Sequence, residues 1–131
     1  MTYSGKSSLI LCILQMLELQ SGSIKIDDID LAYLSLEAIR TSLITISQDT
    51  VFVEGTIRLN LDPHSSISDE LIISALEKVH LWDLIERKGG LDTRAGDMHL
   101  SHGQQQLFCL ARALLRKEKG KILLMDEATS R

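Results

Sequence analysis

The chain has 131 residues, about one domain's length, with 44% hydrophobic and 24% charged side chains and a formal net charge of −4. That composition fits a folded globular protein, and the acidic balance offers no general attraction to nucleic acid or anionic lipid. One proline and eight glycines leave little room for linkers or low-complexity segments.

From Lys6 to about Leu19 the residues predict a helix that is apolar around most of its circumference and therefore buried. Lys6 ahead of LILCIL, with SGS beyond, also fits the layout of a secretory signal peptide. The apolar stretch is shorter than the roughly 20 residues that span a bilayer, and Gln15 and Glu18 interrupt it. SGSIKIDDIDL alternates Ile24 and Ile26 with polar neighbours and predicts a strand and turn. SLEAIRTSL predicts a short helix, LITIS a buried strand running to Gln48, and GTIRLNLDP a helical turn stopped by Pro63. In SISDELIISALEKVHLWDLIERKGG, Ser68 is placed to N-cap a helix and Gly89-Gly90 to end it, with Leu71, Ala75, Leu76 and Val79 facing the core. A further helix is predicted from near Ser101 through QQQLFCLARALLRK. Leu107, Leu110, Ala111 and Leu114 are its expected buried stripe, with Arg116, Lys117 and Lys119 at its negative end. KILLM follows as a strand buried on both faces. Helices alternating with strands predict an α/β fold on a parallel sheet, with ligands beyond the carboxyl ends of the strands. Cys12 and Cys109 lie far apart in apolar runs, which suits buried reduced thiols rather than a disulfide or metal pair.

Three stretches carry chemistry. SGKSS matches the end of the phosphate-binding pattern G-x-x-x-x-G-K-[ST], whose first glycine would fall one position before Met1. At a helix start, Gly5, Lys6 and Ser7 would offer unpaired amides and a positive dipole to an anion, an ammonium to terminal phosphates, and a hydroxyl to Mg²⁺. ILLMDE places Asp126 and Glu127 at the carboxyl end of an apolar strand, where Asp126 would hold Mg²⁺ and Glu127 could polarise an attacking water. LSHGQ opens a second helix with Ser101 and Gly103, again presenting backbone donors.

In order, SGKSS, ISQDTVFVEGTIRLNLDP, LSHGQQQLFCLARALL and KILLMDEATS make the whole chain resemble the nucleotide-binding domain of ATP-binding cassette (ABC) transporters. The block from SQD to NLDP, and GGLD ahead of the signature, resemble subfamily C, the multidrug-resistance-associated type, and its second nucleotide-binding domain in particular. The resemblance implies an α/β fold: part of a P-loop ATPase core with parallel strands (1–49 and 116–131) and an α-helical subdomain (50–115) carrying the signature helix. It implies that Gly5, Lys6, Ser7 and Ser8 bind ATP and that Gln48 contacts the metal and the nucleophilic water. Leu100, Ser101, His102, Gly103 and Gln104 would be the signature that closes over ATP on an opposing domain, His102 occupying a variable position. Asp126 would be the Walker B aspartate and Glu127 the catalytic glutamate; Ser7, Gln48 and Asp126 would hold Mg²⁺, and Lys6, Gln48 and Glu127 would act in hydrolysis. The implied partners are transmembrane domains and a second nucleotide-binding domain, at the cytoplasmic face of a membrane without insertion of this segment, and not nucleic acid.

The chain departs from the family pattern as well. Tyr3 stands where relatives usually have glycine, and such a residue lacks glycine's access to positive φ and to close phosphate approach. The first loop glycine, the adenine-stacking aromatic, the D-loop aspartate and the switch histidine have no counterpart in the sequence. A domain truncated at both ends, with little ATPase activity of its own, is therefore the expectation, and lost strands would leave unpaired sheet edges. A non-catalytic module docking on transmembrane domains through 51–100 is the alternative. A DNA-acting ABC ATPase fits less well, given the acidic charge.

Overall fold

The computed structural model describes residues 5–46 and 49–125. Helix α1 spans Lys6–Ile13. It does not continue to Leu19: Gln15 turns left-handed at φ 54, and the amides of Gln15 and Met16 fold back onto the carbonyls of Cys12 and Leu11. The Gln15 side chain fixes this exit by donating to the Leu31 carbonyl at 2.6 Å. Nor is α1 buried all round, since none of its residues is fully enclosed and Leu9 faces solvent. One side of the helix covers the sheet and the other meets water.

Strands β1 (Lys25–Ile26) and β2 (Ile29–Asp30) form an antiparallel hairpin. Asp27 and Asp28 at its turn both take positive φ, as a type I′ connection requires and as Asp tolerates better than most residues. Helix α2 (Leu36–Ser42), capped by the Ser35 hydroxyl accepting from the Ala38 amide, runs directly into β3 (Leu43–Ile46). Next come α3 (Ile57–Leu61), α4 (Asp69–Lys78), α5 (Trp82–Arg87) and α6 (His102–Arg116). The last strand, β4 (Ile122–Met125), returns to pair in parallel with β3, Leu43 opposite Ile122 and Ile46 opposite Met125.

The two faces of this parallel pair pack differently. Ile44 and Ile46 lie against Cys109 and Ala113 of α6. Leu43 packs with Leu31 and Ile39 on the other face, where Ile13, Leu14, Ile122 and Leu124 gather. The expectation that KILLM is buried on both faces does not hold, because Leu123 and Met125 are 49% and 51% exposed. They share the α6 side of the sheet with Ile44 and Ile46, yet the small side chains of α6 sit over β3 and leave β4 uncovered. The turn from α6 into β4 needs glycine, since a Cβ at Gly120 would lie 2.3 Å from the Ile44 side chain.

The largest core lies among α3–α6, around Ile57, Ile72, Leu76, Ile85, Met98 and Phe108. Three expectations are corrected here. The stretch between Ser68 and Gly89 is two helices, because His80 adopts φ 59 and the Leu81 amide reaches back to the Leu76 carbonyl. Leu71 is 60% exposed while Ile72 is fully enclosed, so the inward stripe is Ile72, Ala75, Leu76 and Val79. In α6, Leu107 and Leu110 are partly exposed, and Phe108, Cys109, Ala111 and Ala113 are the buried residues. That helix is wedged between the helical core and the sheet, where small residues permit close approach. Both cysteines are free thiols, Cys109 buried and Cys12 half-buried. Among the described residues, no helix is long and apolar enough to cross a membrane.

Candidate functional site

Helix α1 begins at Gly5, whose backbone is left-handed at φ 72 and ψ −11. An L side chain there would be strained by about 1–2 kcal/mol. Gly5 offers no side-chain cap to the helix start, and the first turn contains no acidic residue. The contrast with α4 is direct, since Asp69 and Glu70 offset the dipole in its first turn. Lys6, Ser7 and Ser8 are exposed, and space is open where a Gly5 side chain would project. The start of α1 therefore has the chemistry of an anion site: amides to which Gly5 offers no side-chain cap, an adjacent ammonium and two hydroxyls.

Ser7 borders a cleft of about 220 Å³ with Thr45, Ile46 and Leu124. Thr45 and Ile46 end β3, and Leu124 is the penultimate residue of β4. The first turn of α1 thus shares one edge of the fold with the carboxyl ends of both parallel strands. Gln48 follows β3 after one intervening residue, and Asp126 and Glu127 follow β4 directly; all three, like Tyr3, lie outside the described residues. Of the three expected metal ligands only Ser7 is described. Among the described residues, no cluster of His, Cys, Asp and Glu could hold a metal by itself.

Residues 100–104 sit at the start of α6, and the cleft beside Ser7 includes none of them. The Ser101 hydroxyl accepts from the Gln104 amide, and the Gln104 side-chain oxygen accepts from the Ser101 amide. His102 and Gly103 are exposed on the first turn, and nothing would contact a side chain at Gly103. Leu100 is half-buried, its carbonyl accepting from Gln105 Nε2 at 3.2 Å.

A third group of residues was not singled out from the sequence. The chain after β3 is laid along α6. Thr50 Oγ1 donates to the Gln105 carbonyl at 3.2 Å and lies 3.2 Å from Cys109 Sγ. The Phe52 ring meets Phe108 with centroids 4.9 Å apart. Arg112 donates through Nε to the Asn60 carbonyl at 2.7 Å and through Nη1 to the Val51 carbonyl at 3.0 Å. Asn60, itself buried, pairs with both backbone groups of Val53 through its side-chain amide. Burial lowers the Arg112 pKa from its ordinary value, because desolvation disfavours the charged form; a guanidinium nonetheless stays charged. The available signal was one arginine inside the apolar run CLARALL and one asparagine between the leucines of LNLDP.

The ABC transporter family model matches residues 3–130. The chain is 49% identical over 129 residues to ABC multidrug transporter B of Aspergillus fumigatus, covering 98% of this chain and 9% of that protein. It is 49% identical over 129 residues to an ABC-type transporter of Gibberella zeae, with the same coverage. To ATP-binding cassette sub-family C member 3 of Homo sapiens it is 46% identical over 132 residues, covering 98% of this chain and 8% of that protein. The chain spans about a tenth of the length of the curated relatives it matches.

Proposed function

The chain belongs to the ABC transporter family, and from that premise we propose that it is the nucleotide-binding part of a membrane exporter, taking MgATP at Gly5, Lys6, Ser7 and Ser8. The observation that carries this reading is the Ser7 cleft, which joins the start of α1 to the carboxyl ends of β3 and β4. Residues 1–49 and 116–131 form the ATPase core, and 50–115 the helical subdomain that carries the signature. In support of that division, the largest apolar cluster draws its buried members from Ile57 through Ala111.

The roles follow from charge and connectivity. First-turn amides and the Lys6 ammonium bind the phosphates and offset charge that develops on them during transfer. Ser7, Gln48 and Asp126 would be the oxygen donors that hold Mg²⁺, and the ion would supply positive charge to neutralise the phosphates. Glu127 orients the attacking water, with Gln48 beside it. Residues 100–104 close over a nucleotide held by an opposing domain, in which case the Ser101 hydroxyl exchanges its bond to Gln104 for one to phosphate. The partners are that second domain and transmembrane domains, at the cytoplasmic face of a membrane.

Tyr3 in a glycine position favours weak nucleotide binding and slow turnover in this chain. Equilibrium binding of a fluorescent ATP analogue, with and without Mg²⁺, tests the reading. Loss on Lys6→Ala supports it, and a wild-type chain that ignores the nucleotide under both conditions refutes it.

A docking role has its own support. A cleft of about 350 Å³ lies between β3 and the 51–63 segment, and Val51 and Val53 on its rim are 71% and 53% exposed. Apolar side chains so placed suit a short helix from a transmembrane partner. Capture of a transporter half that survives Lys6→Ala but not Val51→Asp with Val53→Asp would favour docking without turnover.

A further inference from the structure

We propose that Arg112 is a positioning residue that makes the chain just after Gln48 and the signature helix a single mechanical unit, so that metal-dependent nucleotide binding depends on a side chain outside the nucleotide site. This deepens the nucleotide-site reading above and rests on it. The segment 50–53 has no strand partner among the described residues, and side chains satisfy several of its backbone polar groups. Arg112 and Asn60 are those side chains. Arg112 takes the Val51 carbonyl at 3.0 Å; Asn60 takes the Val53 amide at 2.9 Å and the Val53 carbonyl at 3.0 Å. Arg112 then ties the two together through Nη2 to Asn60 Oδ1 at 3.2 Å and Nε to the Asn60 carbonyl at 2.7 Å.

The anchor is rigid on the α6 side. The Arg112 guanidinium carbon lies 5.0 Å from the Phe108 ring centroid and 5.4 Å from that of Phe52. Among the described residues no carboxylate forms an ion pair with it. Ring faces and carbonyl oxygens therefore compensate its charge, and both belong to the two elements being joined. Gln105, Phe108, Cys109 and Arg112 lie at helical spacing on one face of α6, and each touches Thr50, Phe52 or Val51. Val51 is three residues beyond Gln48, and Gln105 is one residue beyond the signature. A lysine at 112 would keep the charge but lose the planar fork that reaches Val51 and Asn60 together.

The test compares wild type, Arg112→Lys and Arg112→Met by amide hydrogen exchange and by binding of a fluorescent ATP analogue with and without Mg²⁺. Trp82 emission and the exchange of α4 amides establish that the helical core is intact. The expected result for Arg112→Lys is exchange at 49–53 faster by about tenfold with α4 unchanged. It should also lose the Mg²⁺-dependent gain in affinity, while metal-free binding stays at the wild-type level. A structural role alone would weaken both binding modes equally, and that outcome overturns the proposal. So does unchanged exchange at 49–53 in both variants. A wild-type chain that binds neither form fails before any variant is compared; that result refutes the nucleotide-site reading and this inference with it.

Discussion

Ser101 and Gln104 cap each other: the Ser101 hydroxyl accepts from the Gln104 amide at 3.2 Å, and the Gln104 side chain accepts from the Ser101 amide at 2.9 Å. This reciprocal pair satisfies two of the donors at the start of α6 from within the signature itself. A phosphate arriving from outside would compete with a bond already made, and the isolated chain holds that turn in its self-capped state. Ser101→Ala should lower stability by about 1 kcal/mol, seen as a melting temperature lower by about 4 °C. Gln104→Ala should cost less, because one of its two capping bonds uses its own backbone amide and survives. Thermal denaturation followed by circular dichroism measures both.

Gly120 is set by contact rather than by turn preference. Any side chain there collides with Ile44 and crowds the Arg116 carbonyl at 3.3 Å. Ile44 is buried against Cys109 and Ala113 of α6, so displacing it disturbs that packing. Gly120→Ala should therefore destabilise by about 1–3 kcal/mol. An equal or higher urea midpoint for this variant would mean that the α6–β4 turn relaxes freely.

Asn60 carries more of the fold than its size suggests. Its side chain bonds the Val53 amide, the Val53 and Thr56 carbonyls and Arg112. Asn60→Ala would leave several of these groups buried and unpaired, at a cost of about 1–3 kcal/mol for each that water fails to reach. Asn60→Asp keeps the acceptor but loses the two donated bonds, so it should fall between alanine and wild type. Urea denaturation of the three chains orders them.

These residues also mark where sequence reading reached and where it stopped. The strands β3 and β4 were accessible because LITIS and KILLM are short apolar runs, but their pairing and register, Leu43 opposite Ile122, are set by tertiary packing. The opening of α6 at Ser101 was legible, but Ser68, expected to cap, holds the N-cap position of α4 without a side-chain bond, and the caps supplied by Ser35 and Thr56 were not singled out. Burial phase was not legible. Leu71 looks as apolar as Ile72, and only the direction from which α6 packs onto α4 decides which one faces inward. The break at His80 has no proline or glycine to announce it. Arg112 and Asn60 were missed because hydrogen bonds between residues 52 positions apart leave no periodic trace. At the candidate site, the Gly5–Ser8 turn was legible as a motif, but its meeting with the carboxyl ends of both strands is tertiary information.

The uncovered side of β4 has consequences in solution. Leu123 and Met125 present apolar surface beside one another on a strand whose far edge has no partner among the described residues. Such a surface recruits either a further strand or another copy of the chain. Light scattering of the chain alone should show association that rises with concentration and falls in a Leu123→Lys, Met125→Glu variant. A monodisperse monomer in both cases would mean that the face is covered.

Tyr3 and Lys6 bracket the phosphate-type turn with opposite expected effects. The family pattern that the sequence resembles would have glycine at the position of Tyr3, and Gly5, at the start of α1, does adopt positive φ. Restoring glycine at position 3 should therefore relax the loop and let a phosphate approach its amides. Tyr3→Gly is expected to tighten binding of a fluorescent ATP analogue by about tenfold, the equivalent of ~1.4 kcal/mol. Lys6→Ala should weaken it by at least as much through loss of the nearby charge. Neither change should alter the stability of the helical core, since Lys6 is exposed and α1 contributes no fully buried residue. If Tyr3→Gly leaves affinity unchanged while Lys6→Ala abolishes it, the tyrosine is accommodated and the loop conformation does not limit binding. If neither matters, the start of α1 is not where the nucleotide sits.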